Sequence, residues 1–259
     1  MNTQKQEIKI LDGKMFKEVV NSINSIVEEA TIELRADGLY IHEISKNHIE
    51  YISMWLDKAS IDLDGYHQDV DITIDIDILN KICKRINDID DIKLVFYDTY
   101  IDVLLFNYKT SNKRCYKLVG IDRDYSSPKE PQELPVDTEL LMDAQAFYEA
   151  LKECYEFDKN NVALHLNNNK LNICCADEPL NISNKDIEII KDGSEWSYYD
   201  IKLLFNIAKT CRKLNKEVNI RYAEDSAIIV EYKLDDATSS SYYRILLANR
   251  LYEGANRNE

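Results

Sequence analysis

Glycine and proline are scarce in this chain, six and four among 259 residues. No glycine-rich loop able to cradle phosphates occurs, and no nucleophile–base pair or catalytic motif stands out, so the common enzyme signatures are missing. Histidine is limited to His42, His48, His67 and His165, without an HxxxH or HExxH pair, and a metal site has no support. The six cysteines (Cys83, Cys115, Cys154, Cys174, Cys175 and Cys211) lack CxxC spacing and each lies in an apolar or regularly patterned segment. They read as reduced, core-filling thiols. Also absent is any run of about 18 apolar residues, and Met1 to Leu11 has no signal-peptide core. The expectation is a soluble intracellular protein with no cofactor.

Basic residues are the minority charge: 32 Lys and Arg against 47 Asp and Glu, a formal net charge of −15. On bulk charge such a chain repels nucleic acid, although a local concentration of cations reverses that expectation. The 45% hydrophobic content fits a folded protein, and the length accommodates one large domain or two smaller ones. Pro128, Pro131 and Pro135 fall together in Gly120 to Pro135 (GIDRDYSSPKEPQELP), a stretch with little apolar periodicity. It reads as a linker at 120–135 between an N-terminal domain at 1–119 and a C-terminal domain at 136–259.

The halves repeat. Lys14 to Ile26 predicts a helix with Phe16, Val19, Val20 and Ile23 on one face, followed by the strand pair TIEL-RADG-LYIHEI. Asp143 to Tyr155 predicts another, with Phe147, Ala150, Leu151 and Cys154 inward, followed by VALHL-NNN-KLNIC. Later, IKLVFYDTYIDVLLF (Ile92 to Phe106) lies over VNIRYAEDSAIIVEY (Val218 to Tyr232) at a constant offset of 126. Each comes after a second helical pattern, Ile76 to Ile86 or Tyr199 to Leu214. The architecture is α+β, a duplicated unit of two helices packed on antiparallel sheets.

Ten of the 32 Lys and Arg lie in these four helical patterns. In the last, Leu203, Leu204, Ile207, Ala208 and Cys211 face inward and leave Lys202, Asn206, Lys209 and Lys213 together on the polar side. In the second, Leu79, Ile82, Cys83 and Ile86 leave Lys81, Lys84 and Arg85. The first offers Lys14, Lys17, Asn21 and Asn24, and the third only Lys152, beside Glu149 and Glu153. A surface made of such faces binds phosphates as point charges, without base recognition and with steep salt dependence.

The order helix, hairpin, helix, strands, given twice around a proline-bearing linker, resembles the PCNA family of sliding clamps. AIIVEYKLDD (Ala227 to Asp236) followed by LLANRL (Leu246 to Leu251) resembles the family's C-terminal signature. LNKICKRI (Leu79 to Ile86) resembles its second helix, and ADGLYIHEISKNHIEYI (Ala36 to Ile52) its hairpin and following loop. The likeness covers nearly the whole chain. It departs at Asn249 and Ala227, where the family favours proline, at Glu18, where it often has lysine, and in the SSPKEP of the linker.

The resemblance implies a DNA clamp fold that closes into a ring, a trimer in the family, with helices lining a central hole that encircles duplex DNA. It implies a polymerase processivity factor, no enzymatic activity, and DNA polymerase, a clamp loader and other motif-bearing proteins as partners. The inner-face cations it carries over are Lys17, Lys81, Lys84, Lys152, Lys202 and Lys209, joined by Lys14, Arg85 and Lys213. It implies a peptide pocket formed by Ile44, His48, Ile49, Tyr125, Pro128, Ala227, Leu246 and Ala248. Such a groove binds by apolar anchors. Subunit contacts are expected from two edges, Lys109 to Val119 with Lys113, Cys115 and Lys117, and about Leu180 to Ile187 with Ile182 and Asn184.

Two other readings remain open at this level. A checkpoint-type clamp or a non-ring viral processivity factor keeps the fold and changes the role. The carboxylate-rich DVDITIDID (Asp69 to Asp77) suggests a metal-dependent nuclease, but strict alternation of Val70, Ile72, Ile74 and Ile76 with Asp69, Asp71 and Asp75 is better explained by a half-buried strand.

Overall fold

The computed structural model describes residues 5–64, 66–123, 128–129, 131, 134–157, 160–175, 181–184, 186–193, 196–234 and 239–250. The chain divides into two units, Met1–Glu130 with Lys233–Arg244, and Pro131–Tyr232 with Ile245–Glu259. The break at 130/131 falls inside the expected linker.

Unit 1 runs β1 (Gln6–Ile10), α1 (Gly13–Asn24), β2 (Glu29–Arg35), β3 (Gly38–Ile44), β4 (Glu50–Asp57), β5 (Ile61–Asp64), β6 (Val70–Asp75), α2 (Ile76–Cys83), β7 (Asp90–Phe96), β8 (Tyr100–Asn107) and β9 (Asn112–Val119). The same order then repeats: β10 (Thr138–Asp143), α3 (Ala144–Phe157), β11 (Asn161–Asn167), β12 (Lys170–Cys175), β13 (Asn181–Asn184), β14 (Ile187–Lys191), β15 (Trp196–Asp200), α4 (Ile201–Cys211), β16 (Glu217–Tyr222), β17 (Ile228–Lys233) and β18 (Tyr242–Leu247). Within unit 1 the strands pair antiparallel as β5-β1-β7-β8-β9 and β4-β3-β2-β6, and within unit 2 as β14-β10-β16-β17 and β13-β12-β11-β15. The duplication inferred from an offset of 126 is therefore a duplication of strand order. The β11–β12 hairpin shows how local chemistry helps: Asn168 and Asn169 take φ of 50° and 58°, the left-handed conformation that asparagine tolerates and a two-residue turn requires.

Each helix starts on an aspartate that ends a strand or comes soon after one. Asp12 accepts from the Lys14 and Met15 amides, Asp75 from Ile78, Asp143 from Ala146 and Asp200 from Leu203, at 2.8 to 3.0 Å. A side-chain oxygen there satisfies amides that the first turn leaves without partners. The caps shift the expected boundaries. Tyr199, expected in the fourth helix, belongs to β15 because Asp200 caps α4, and α2 and α4 stop at Cys83 and Cys211 rather than at Ile86 and Leu214. The chain continues after Cys83 in a tight turn, with Arg85 and Ile86 amides bonding the Ile82 and Cys83 carbonyls.

The apolar faces are buried as their periodicity predicts: Phe16, Val19, Val20 and Ile23 on α1, Leu79, Ile82 and Cys83 on α2, Phe147, Ala150, Leu151 and Cys154 on α3, and Leu204, Ile207, Ala208 and Cys211 on α4. Leu203 is only half-buried. The core-filling reading of the thiols needs correction: Cys83, Cys154, Cys175 and Cys211 are buried, but Cys174 is half-buried and Cys115 exposed. Cys115 lies on β9, a strand with neighbours on one side only, whose burial is confined largely to Leu118. Burial pushes the Cys83 thiol up to about 12 and the Cys174 thiol to about 11, which keeps both protonated and unreactive near neutral pH.

The carboxylates of DVDITIDID have ordinary structural work. Asp69 accepts from the Tyr66 hydroxyl, Asp71 pairs with Arg35 at 2.5 Å, and Asp75 caps α2. Elsewhere in unit 1, burial raises the Asp57 carboxyl, but the Ser240 amide, the Ser239 and Ser241 hydroxyls and the Ala59 amide outweigh it and hold the group below its usual range. No helix among the described residues is long and apolar enough to cross a membrane, and among them no cluster of three metal-ligating side chains occurs.

Candidate nucleic-acid interface

Two helix pairs carry the candidate cations, α1 with α2 in unit 1 and α3 with α4 in unit 2. In unit 1, Lys14 and Lys17 rise from α1, Lys14 exposed and Lys17 half-buried. The Lys17 charge is close enough to the Cys83 thiol of α2 to act against its upward shift. Lys81 on α2 is exposed but engaged, its ammonium 2.5 Å from Asp77 one turn earlier, which holds it above the usual lysine range. Lys84 is the C-cap residue, and Arg85 lies just beyond it with its guanidinium 5.9 Å from the Tyr116 ring centre. These two cations thus sit at the helix's negative end rather than along its face, where positive charge is favoured.

In unit 2, Lys152 of α3 is drawn to Glu149 at 3.7 Å. Lys202 and Lys209 are exposed on α4, seven residues apart on one face. Lys213 is exposed as far as its neighbours at the helix end allow, but it lies past that end, so the expected row of Lys202, Asn206, Lys209 and Lys213 is cut short by the cap. Among the described residues no ion pair occupies Lys84, Lys202, Lys209 or Lys213. One cation was not singled out from sequence: Arg212, the C-cap of α4, stacks on Tyr148 of α3 with 3.9 Å between guanidinium carbon and ring centre. Its signal is a contact between two helices, which spacing along one helix does not reveal.

Of the candidate peptide-pocket residues in unit 1, Ile44 is half-buried while His48 and Ile49 are exposed, His48 at φ 57° and Ile49 at 38% exposure. Ile44 lines a cavity of about 300 Å³ with Glu28, Glu29, Glu43, Glu50 and Arg123, and Pro128 lines a second of about 600 Å³ that shares Arg123. The walls are more charged than an apolar groove needs. Tyr125 lies outside the described residues. In unit 2, Ala227 and Ala248 are half-buried and Leu246 is buried.

The two candidate subunit edges are both terminal strands of their sheets. Among the described residues β9 bonds only to β8, and β13 only to β12. Lys113, Cys115 and Lys117 are exposed on β9, and Lys117 holds its ammonium 3.6 Å above the Tyr100 ring. Ile182 and Asn184 lie on β13, but their side chains fall outside the described residues.

A duplicated α+β unit, two antiparallel sheets and two capped helices each, with cations on the exposed helix surfaces, defines a protein of the DNA-clamp fold. Comparison with known proteins is consistent at every level. The family model "Proliferating cell nuclear antigen, N-terminal domain" matches residues 6–127. A "DNA polymerase sliding clamp" of Methanothermobacter thermautotrophicus is 28% identical over 140 residues, 52% of this chain and 56% of that protein. "Proliferating cell nuclear antigen" of Dictyostelium discoideum is 20% identical over 251 residues, 89% of this chain and 94% of that protein. The match to the first archaeal relatives spans about half their length, 50% to 56%. The crystal structure of the corresponding Entamoeba histolytica antigen superimposes with a TM-score of 0.83 at 15% identity, covering 95% of this chain and 99% of that one. Residues 6–127 thus match the N-terminal domain of the PCNA family, and the chain is a divergent relative, at 20% to 28% identity, of the DNA polymerase sliding clamps, a non-enzymatic family.

Proposed function

We propose that this protein is an intracellular DNA polymerase processivity factor, a sliding clamp whose copies close into a ring around duplex DNA and tether polymerase and other proteins bearing a clamp-binding motif. The observation that carries this reading is the distribution of charge: a chain of net charge −15 keeps, on the surfaces of both helix pairs, lysines that have no ion-pair partner among the described residues. Acid elsewhere repels DNA, so the duplex is held where the cations are, and point charges permit sliding because they read no bases. In this proposal Lys14, Lys17, Lys84, Arg85, Lys202, Lys209 and Lys213 face the duplex, and Lys81 and Lys152 contribute less because Asp77 and Glu149 share their charge. Of the residues expected to receive a partner motif, Ile44, His48, Ile49, Pro128, Ala227 and Ala248 have accessible surface. The chain is loaded by a separate clamp loader, having no nucleotide-binding glycine loop of its own.

Ring closure is proposed to use β9 of one copy and β13 of the next. An eight-residue edge strand left open is an aggregation liability that pairing between subunits removes. Light scattering on the purified chain is expected to give three times the 30.2 kDa chain mass. A stable monomer that binds DNA only at low salt contradicts the ring and favours a non-ring processivity factor of the same fold. A complex that forms only with related chains favours a checkpoint-type clamp.

A further inference from the structure

We infer that the seam between α3 and α4 is a pre-organised phosphate-contact site, in which a ladder of Tyr148, Phe205 and Tyr155 holds Arg212, with Lys209 beside it, against the backbone of duplex DNA. This rests on the proposal that the helices face DNA, and it names which side chains of unit 2 do the holding.

The ladder alternates between helices. Tyr148 and Tyr155 lie seven residues apart on one face of α3, and Phe205 of α4 enters between them, with ring centres 5.7 Å and 4.9 Å apart and planes inclined by 21° and 9°. On α4, Phe205, Lys209 and Arg212 succeed one another at i, i+4 and i+7, so the cations emerge on the same face as the ring. Arg212 covers the outer face of Tyr148 at 3.9 Å, and the Lys209 ammonium stands 6.0 Å from the Phe205 centre.

A guanidinium whose carbon stands 3.9 Å over a ring centre has its rotamer restricted before any ligand arrives, while its N–H groups directed away from the ring stay available for a bidentate phosphate contact. The acidic groups on the exposed side of α3 are Glu149, Glu153 and Glu156; Glu149 is taken up by Gln145 and Lys152. No ion pair to Arg212 occurs among the described residues. The rings use their faces on one another and on Arg212, which leaves little face for unstacked bases. That favours a duplex backbone over a single strand, which binds through free aromatic faces. It also accounts for the poverty of lysine on α3, whose contribution is the rings that position an arginine from its neighbour.

The test is fluorescence anisotropy of the full chain with a labelled duplex of about 30 base pairs across a salt series. R212A is expected to weaken binding about fivefold or more and to lower the salt slope by about one. K213A, which removes the same charge one residue on where no ring holds it, is expected to weaken binding about twofold. R212K should fall between them, since lysine keeps charge without the planar stack. Y148F keeps the ring and should retain affinity within about twofold, whereas Y148L should lose about threefold with the slope unchanged. If circular dichroism shows that Y148L does not fold, F205L at the half-buried rung gives the same readout.

R212A no worse than K213A, or a folded ring-removing variant as tight as Y148F, overturns the inference. Tighter binding of a single-stranded oligonucleotide than of the duplex overturns it too. Loss of affinity on replacing Lys84 and Lys202 with no special effect at Arg212 sinks this inference alone. No effect at any of these positions sinks the DNA-binding reading itself.

Discussion

Replacing Lys84, Lys202 and Lys209 together by glutamate is expected to weaken duplex binding by about 10² to 10³-fold at 0.1 M salt. Each phosphate contact contributes about 0.9 of a log unit there through counter-ion release, so three lost contacts account for nearly three decades, and the added acids repel the backbone further. All three lysines are exposed, and among the described residues none is engaged in an ion pair, unlike Lys81, which Asp77 holds. The slope of log affinity against log salt should fall by about three. Polymerase processivity should drop with it, while the mass of the assembly stays constant, because none of the three lies on β9 or β13. Unchanged affinity and slope would remove these helix surfaces from the DNA interface.

The largest stability effect is expected at Arg123, where the linker begins. Its guanidinium meets Glu43 at 2.5 Å, with side chains only 6% and 3% exposed, and its Nε lies 3.5 Å from Glu29. Glu43 also accepts the Ile44 amide at 3.1 Å. Removing one partner from such a pair leaves a charge buried with too little compensation, so R123A should destabilise unit 1 by about 3–5 kcal/mol. Exchanging both partners for apolar groups, as in R123M/E43L, should recover most of that loss, since the cost comes from the orphaned charge. Urea unfolding of the variants checks both statements. A loss below about 1 kcal/mol for R123A would mean that water reaches the pair. Because Arg123 lines both cavities and comes just after the backbone bonds that tie Gly120 to Thr99 and Ile121 to Thr73, R123A should also loosen the start of the linker.

Much of this fold was legible because it is local or repeated. Apolar periodicity identified the inward faces of all four helices, and the offset of 126 located matching hairpins, β7–β8 and β16–β17, in both halves. What stayed hidden depends on partners distant in sequence. Periodicity continued past Cys83 and Cys211, so Lys84, Arg85 and Lys213 were assigned to helices that end before them. The starts are set by single aspartates, and Asp200 moves the start of the fourth helix past Tyr199. Arg212 was within the counted cations, yet its importance arises from Tyr148 on another helix. Alternation marked Glu43 as one more residue of a strand, with nothing to say that Arg123, 80 residues on, would bury against it. Cys115 drew two expectations, a core thiol from its patterned segment and an edge position from the resemblance, and its exposure on β9 agrees with the second.

The most direct measurement of the central claim is retention on closed DNA. Loaded by a clamp loader onto a nicked circular plasmid, the protein is expected to remain bound through a high-salt gel-filtration step and to be lost when a single restriction cut linearises the circle. Topological linkage survives salt that abolishes phosphate contacts, and only an end releases it. Release from the intact circle by salt alone would contradict encirclement and leave a protein that binds DNA by surface charge.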